Sequence, residues 1–215
     1  MLNNFILYVV GAFLIFYLIS IFSYKLYLVD KPDNRKIHKK AVAYTGGLAL
    51  SFIYIFAIYL FDLHYQKINL IFSTGFLVAI IGFLDDKNDL NVGNKLILQL
   101  IPIIYLILSQ NLNLNQIGDY KYFQIELNSF ATPFTILSTI FLINSFNYFD
   151  GLDGTLSITL ISTLCILLFL VSEENFKLSL IIFVVPILIF LLFNFSVLKL
   201  PKLFLGDSGS LLLGF

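Results

Sequence analysis

Charge is what this sequence has least of. Only 12% of its 215 residues are Asp, Glu, Lys or Arg, against about 25% in soluble domains. A surface so poor in charge is not meant to meet water, so a water-soluble globular domain is excluded as the default. Net charge is zero, which leaves no basic field for nucleic acid. Cys165 is the single cysteine and lies inside the apolar stretch "LISTLCILLFL", so an internal disulfide is excluded and packing is its expected role. No Lys or Arg precedes the first apolar run and no small-residue cleavage site follows it. That argues against a removable signal peptide and for a retained first helix. No internal repeat and no low-complexity linker divides the chain, so residues 1–215 are expected to form a single membrane-embedded domain.

What is present is hydrophobic: 59% of the residues are apolar and 24 are Phe. A helix needs about 20 mostly apolar residues to cross the hydrocarbon core. Seven runs approach that length, at 4–23, 46–61, 68–84, 95–109, 133–149, 155–171 and 178–195, and an eighth begins at Ser208. The expected fold is all-α, a polytopic transmembrane helical bundle. Pro102 and Pro186 fall inside two of the runs, where neighbouring helices or water must satisfy the carbonyls they free. The segment around "YKYFQIEL" alternates beside a turn-like "GD" and predicts a short β-hairpin on the outer surface.

The loops give the sidedness. Those at 24–45, 85–95, 149–155 and 195–207 carry ten of the thirteen Lys and Arg residues. The positive-inside bias therefore places them in the cytoplasm, with the N-terminus outside a cytoplasmic (inner) membrane. Eight of the thirteen acidic residues share that face: Asp30, Asp33, Asp85, Asp86, Asp89, Asp150, Asp153 and Asp207.

Four polar blocks interrupt the apolar pattern there. In "NSFNYFDGLDG", Asn144 and Asn147 are helical neighbours, and Gly151 and Gly154 then break the helix, leaving Asp150 and Asp153 on a tight turn. Interhelical glue suffices for Asn144 alone; it does not suffice for the whole set. In "GFLDDKNDL", Asp85 and Asp86 end a helix side by side and repel one another unless a cation compensates. In "FLGDSGSLLLGF", Gly206 and Gly209 flank Asp207 where a helix starts, and free N–H groups there suit a phosphate. Asp207 is placed to hold a hard cation, since magnesium takes one or two carboxylates plus substrate phosphates. "GDSG" is also similar to the nucleophile motif of chymotrypsin-like proteases, but a hydrophobic helix follows at once. The fourth block, "DKPDNRKIHKKAVAYTGG", holds Arg35, Lys36, His38, Lys39 and Lys40. Positive-inside topogenesis explains any one of these; together they could neutralise the phosphates of a nucleotide or lipid head group.

These blocks, in this order from residue 30 to 210, resemble the polyprenyl-phosphate N-acetylhexosamine-1-phosphate transferases. The stretch before the glycine pair is closer to the branch using UDP-N-acetylglucosamine than to the muramyl-pentapeptide branch. The resemblance implies transfer of a sugar 1-phosphate from a UDP-N-acetylhexosamine to polyprenyl (undecaprenyl) phosphate, releasing UMP and initiating a cell-surface glycan such as an O-antigen. It further implies magnesium, with Mn2+ as a substitute, on Asp207, and Asp85 and Asp86 as the catalytic pair, Asp85 being the base or, in another scheme, one aspartate a covalent nucleophile. Asn147, Asp150 and Asp153 match the substrate loop, Gly151 and Leu152 the uridine pocket, Phe204 the aromatic that stacks on uracil, and Lys40 a nucleotide contact. The lipid bilayer is an implied partner, and a homodimer is left open. Ala41 and Ala43 depart from the family's prolines. Relatives continue past "GDSGS" into further helices and a histidine-rich loop, so a C-terminally truncated member is expected. A phospho-N-acetylmuramoyl-pentapeptide transferase and a transporter with an acidic cytoplasmic vestibule are the alternatives. The CDP-alcohol phosphotransferases are set aside, because their later spaced aspartates do not follow Asp150.

Overall fold

The computed structural model describes residues 2–32, 40–61 and 66–215. The basic cluster Arg35, Lys36, His38 and Lys39 lies outside the described residues. Among the described residues eight α-helices run in chain order: α1 (Leu2–Lys25), α2 (Gly46–Phe61), α3 (Gln66–Asn88), α4 (Val92–Gln110), α5 (Ala131–Phe149), α6 (Thr155–Leu170), α7 (Glu174–Asn194) and α8 (Gly206–Gly214). α1, α3, α4, α5 with its preceding turn, and α7 are long and apolar enough to cross a membrane. This is a multi-pass, all-α membrane protein. Of the seven expected crossings, α2 and α6 are shorter, at 16 residues each, or about 24 Å at 1.5 Å per residue.

The helix ends follow local chemistry. The Asn91 side chain accepts the Asn94 N–H at 2.8 Å and caps the start of α4, satisfying one of the donors a helix start leaves open. Asn111 closes α4 in the left-handed region. Gly154, at φ +73°, turns the chain between α5 and α6, a conformation that glycine adopts without a Cβ penalty.

Pro186 removes the N–H that would have bonded the Ile182 carbonyl within α7. The Tyr8 hydroxyl donates to that carbonyl at 2.8 Å, and Tyr54 donates to the neighbouring Phe183 carbonyl at 3.1 Å. Helix α1 thus supplies the partner the proline withdrew, and α2 adds a bond to the carbonyl beside it. Around them, the rings of Tyr54, Phe72 and Phe183 stack, with Tyr54 5.0 Å from each of the other two.

Helix α8 is the keystone. It is buried from Ser208 to Gly214 and packs against α2, α3 and α5. Close approach depends on glycine. A Cβ on Gly47 of α2 would collide with the Gly209 backbone, and one on Gly82 of α3 with the Asp207 carbonyl. Small residues let helices touch in this way where lipid supplies no hydrophobic drive between them. The extended stretch before α8 also docks beside the first loop. Phe204 N–H donates to the Ala43 carbonyl at 2.8 Å, and Gly46 N–H to the Phe204 carbonyl at 3.0 Å. Strands β1 (Val29–Asp30) and β2 (Val42–Ala43), which the hydrophobic pattern did not indicate, complete this seam. On the far side of the bundle β3 (Gln116–Tyr120) and β4 (Phe123–Glu126) form the expected hairpin.

Gly82→Val should lower the melting temperature in detergent, since overpacking costs about 1–3 kcal/mol. Gly93→Ala is the control, because its Cβ would meet nothing nearer than 3.6 Å; equal melting temperatures for the two variants would refute the close-packing account.

Candidate active site

The polar blocks converge at one end of the bundle, where α3 and α5 end and α4 and α8 begin. Lys95, in the first turn of α4, is the hub. Its ammonium lies 2.5 Å from Asp85 of α3, 2.9 Å from Asp207 of α8 and 3.1 Å from the Asn147 side-chain oxygen of α5. The Asn147 amide donates at 2.8 Å to both Asp207 Oδ1 and Ser210 Oγ. Asp85 also accepts the Leu90 N–H at 3.0 Å. Four helices are tied by one cation, one amide and two carboxylates. Charge-assisted bonds of this kind are the strong ones.

Asp86 has a different set of partners from its neighbour. Its carboxylate accepts the N–H of Asp207 at 3.1 Å and of Ser208 at 3.3 Å. It therefore caps the start of α8 from another helix. This corrects the expectation that those N–H groups are open to a phosphate: Asp86 occupies them. The two adjacent aspartates face different partners, a lysine and a helix N-terminus respectively.

Beside this cluster opens a cavity of about 770 Å³ lined by Asp86, Asn147, Asp150, Gly151, Leu152, Asp153, Phe204 and Asp207, together with Tyr44 and Lys202. Sequence reading grouped all of these except Tyr44 and Lys202 on one face of the bundle, and the fold brings them to one cavity. Neither Asp85 nor Lys95 lines the cavity, and neither does Lys40. Gly206, at φ +71°, turns the chain so that Asp207 enters α8 facing the cavity. Asp153 pairs with Lys202 at 2.5 Å, and that lysine also lies 5.2 Å from the Phe204 ring centroid. Asn144 is held elsewhere, donating to Gln99 at 2.9 Å and to the Ile140 carbonyl at 2.8 Å. It is interhelical glue, as its chemistry alone suggested.

A family model described as glycosyl transferase family 4 matches residues 68–215. The chain belongs to glycosyl transferase family 4. It is 34% identical over 198 residues to a probable undecaprenyl-phosphate N-acetylglucosaminyl 1-phosphate transferase of Bacillus subtilis (strain 168), covering 89% of this chain and 54% of the relative. It is 29% identical over 196 residues to an undecaprenyl-phosphate alpha-N-acetylglucosaminyl 1-phosphate transferase of Yersinia pestis, covering 89% and 54%, and 28% identical to one of Escherichia coli O157:H7, covering 89% and 53%. The chain spans about half the length of these curated relatives.

Within this family 4 chain, burial pushes the Asp150 carboxyl up to about 7, with the charges of Asp207 and Asp153 adding to the effect. Negative charge in the cavity is thus short of compensation on the Asp150 side. Among the described residues no group of three metal-ligating side chains forms a closed metal cage. The donors do fit magnesium, which is held by one or two carboxylates and completes its shell with phosphate and water. Asp207 is 34% exposed toward the cavity, and its charge is felt by Asp150.

Sequence reasoning missed Lys95, Ser210, Tyr44 and Lys202. Lys95 did carry a signal: in "VGNKLILQL" it is a lone cation one turn into an apolar helix. It was counted with the loop charges that set orientation.

Two outcomes follow from these contacts. Lys95→Ala leaves Asp85 and Asp207 facing one another unpaired and should destabilise the protein. Adding Asp85→Ala should restore part of the loss, and strict additivity in a thermal double-mutant cycle would refute the bridge. Asp150 has a folded pKa above its unfolded value, so the proton it binds stabilises the fold fully below about pH 4. That contribution is lost as pH rises through about 7. Compared with Asp150→Asn, the wild type should therefore lose relative stability between pH 5 and 8, and parallel melting curves across that range would contradict the shift.

Proposed function

We propose that this site transfers N-acetylglucosamine 1-phosphate, or a closely related N-acetylhexosamine 1-phosphate, from a UDP-sugar to undecaprenyl phosphate. The reading assigns the chemistry to the cytoplasmic face of the inner membrane, with the N-terminus outside, as the distribution of Lys and Arg favours. The observation that carries it is the Lys95–Asn147–Asp207 cluster opening onto a cavity at the ends of membrane-crossing helices. A cavity at that level lets a head group react while a prenyl tail stays in lipid.

In the proposed reaction an oxygen of the lipid phosphate attacks the phosphorus next to the sugar. The bond from that phosphorus to the bridging oxygen breaks, UMP leaves with the electron pair, and a new pyrophosphate links sugar and lipid. Two anions must meet, so neutralising their repulsion dominates the barrier. Magnesium, held by Asp207 with Asp150 nearby, would supply charge neutralisation at the phosphates. Lys95 offers a second positive charge at the same carboxylate. The resemblance assigns Asp85 the proton of the lipid phosphate; Asp85 is tied to Lys95 and lies outside the cavity wall, so this role would require the Lys95 contact to open. Asp86 acts at one remove, by holding the turn that aims Asp207. Gly151 and Leu152 form the open wall assigned to uridine, and Phe204 the face assigned to uracil, beside Lys202.

The names of the relatives support the N-acetylglucosaminyl branch over the muramyl-pentapeptide one. A transporter would place charge deep within its helices, whereas the cavity's carboxylates here sit at helix ends.

UMP release from a panel of UDP-amino sugars, with undecaprenyl phosphate and magnesium in proteoliposomes, tests the proposal. Asp207→Asn should reduce turnover by on the order of 10²-fold or more, the scale of removing one preorganised electrostatic contact. The same variant should also weaken Mn2+ binding read by electron paramagnetic resonance. Undiminished turnover in the variant would remove the metal assignment, and solute flux without UMP release would remove the transferase reading.

A further inference from the structure

The β3–β4 hairpin lies at the end of the bundle opposite the carboxylates, between the end of α4 and the start of α5. It is anchored rather than trailing: Leu127 N–H donates to the Asn115 carbonyl at 2.8 Å, and Leu114 N–H to the Thr135 hydroxyl of α5 at 2.9 Å.

Its register sorts the side chains by polarity. Tyr120 pairs with Phe123 and Gly118 with Ile125, whereas Asp119 pairs with Gln124 and Gln116 with Glu126. Directly opposed residues share a face and successive ones alternate. One face is therefore Tyr120, Phe123 and Ile125, and the other Gln116, Asp119, Gln124 and Glu126. A bulge at Ile117 keeps the two sets from mixing.

The apolar face is not covered by the rest of the described chain. Phe123 is 60% exposed, Tyr120 50% and Ile125 40%. The Tyr120 and Phe123 rings stack on one another, 5.0 Å apart. An isolated two-stranded hairpin is marginal in water, and needs its hydrophobic face packed against something.

The neighbouring surface indicates what covers it. Tyr105 and Leu108 at the end of α4, and Phe130, Phe134 and Leu137 at the start of α5, are exposed apolar residues on helices that cross the bilayer. These residues mark a lipid-facing belt on the two helices that the hairpin joins, at the level where those helices leave the hydrocarbon. Aromatic side chains are favoured at that depth, and amphipathic elements lie flat in it. A second copy of the chain is a poorer occupant, since three side chains fall far short of the roughly 20–30 residues a side of a stable interface.

We infer that the hairpin is an interfacial anchor, with Tyr120, Phe123 and Ile125 seated among the lipid head groups of the leaflet opposite the carboxylate site and Asp119, Gln124 and Glu126 facing water. This is independent of the proposed catalysis.

The chain has no tryptophan, so a single introduced one reports alone. Phe123→Trp, in phosphatidylcholine vesicles, should emit at a blue-shifted wavelength. It should be quenched by lipids brominated near the top of the acyl chains more than by those brominated near the end, and be protected from aqueous iodide. Gln124→Trp should show the reverse: red-shifted emission, iodide quenching and no response to bromine. Tyr120→Trp reads the same face as Phe123→Trp should that variant fail to fold. Iodide quenching of the Phe123 reporter without bromine quenching overturns the inference, because the face is then in water. Protection from both quenchers also overturns it, because protein then covers the face. Equal bromine quenching of the Phe123 and Gln124 reporters overturns the orientation.

Discussion

A carboxylate at the edge of a bilayer must find a partner, because removing an ion from water costs several kcal/mol even after relaxation. The carboxylate end of this protein is organised by that constraint. Lys95 answers it for Asp85 and Asp207 together, and Asn147 supplies the bonds the ammonium cannot. Because the participants come from α3, α4, α5 and α8, satisfying the charges also fixes how those helices end relative to one another. Asp86 extends the arrangement by receiving the first N–H groups of α8.

The electrostatics would fail without close packing beneath them. The α8 backbone sits against Gly47 and Gly82 with no space for a side chain between. That contact sets the depth of Asp207 within the bundle. The aromatic stack around Pro186 lies farther into the membrane and holds α1 and α2 against α7. Polar chemistry at one end and an amphipathic hairpin at the other thus share a scaffold whose rigidity comes from glycine contacts and rings. Asp150, at the cavity wall, is buried beside the charges of Asp207 and Asp153.

The sequence made much of this legible. Helix α2 matched its apolar run at both ends, since nothing but hydrophobicity and a glycine pair defines it. The hairpin was visible because period-two alternation around "YKYFQIEL" contrasts with helices that are apolar all round. The cluster was partly visible: Asn147, Asp150 and Asp207 stand out because polar residues beside membrane spans are expensive. Lys95 was hidden by ambiguity, since a lysine near a helix start serves topology as readily as chemistry. The role of Asp86 was hidden for a different reason. A carboxylate that caps a helix 121 residues later in the chain leaves no local pattern at its own position.

Composition and spacing alone determined that the chain is a bundle of membrane helices and that its acidic blocks share one face. Those properties depend on hydrophobic length and on the charge of short loops, which are local quantities. Tertiary structure decided which aspartate meets which partner, that Lys95 bridges two of them, that the α8 N-terminus is already occupied, and that Asp85 lies outside the cavity wall. Each of these is a distance between residues remote in sequence. Such distances are set by the packing of whole helices, to which no single segment holds the answer.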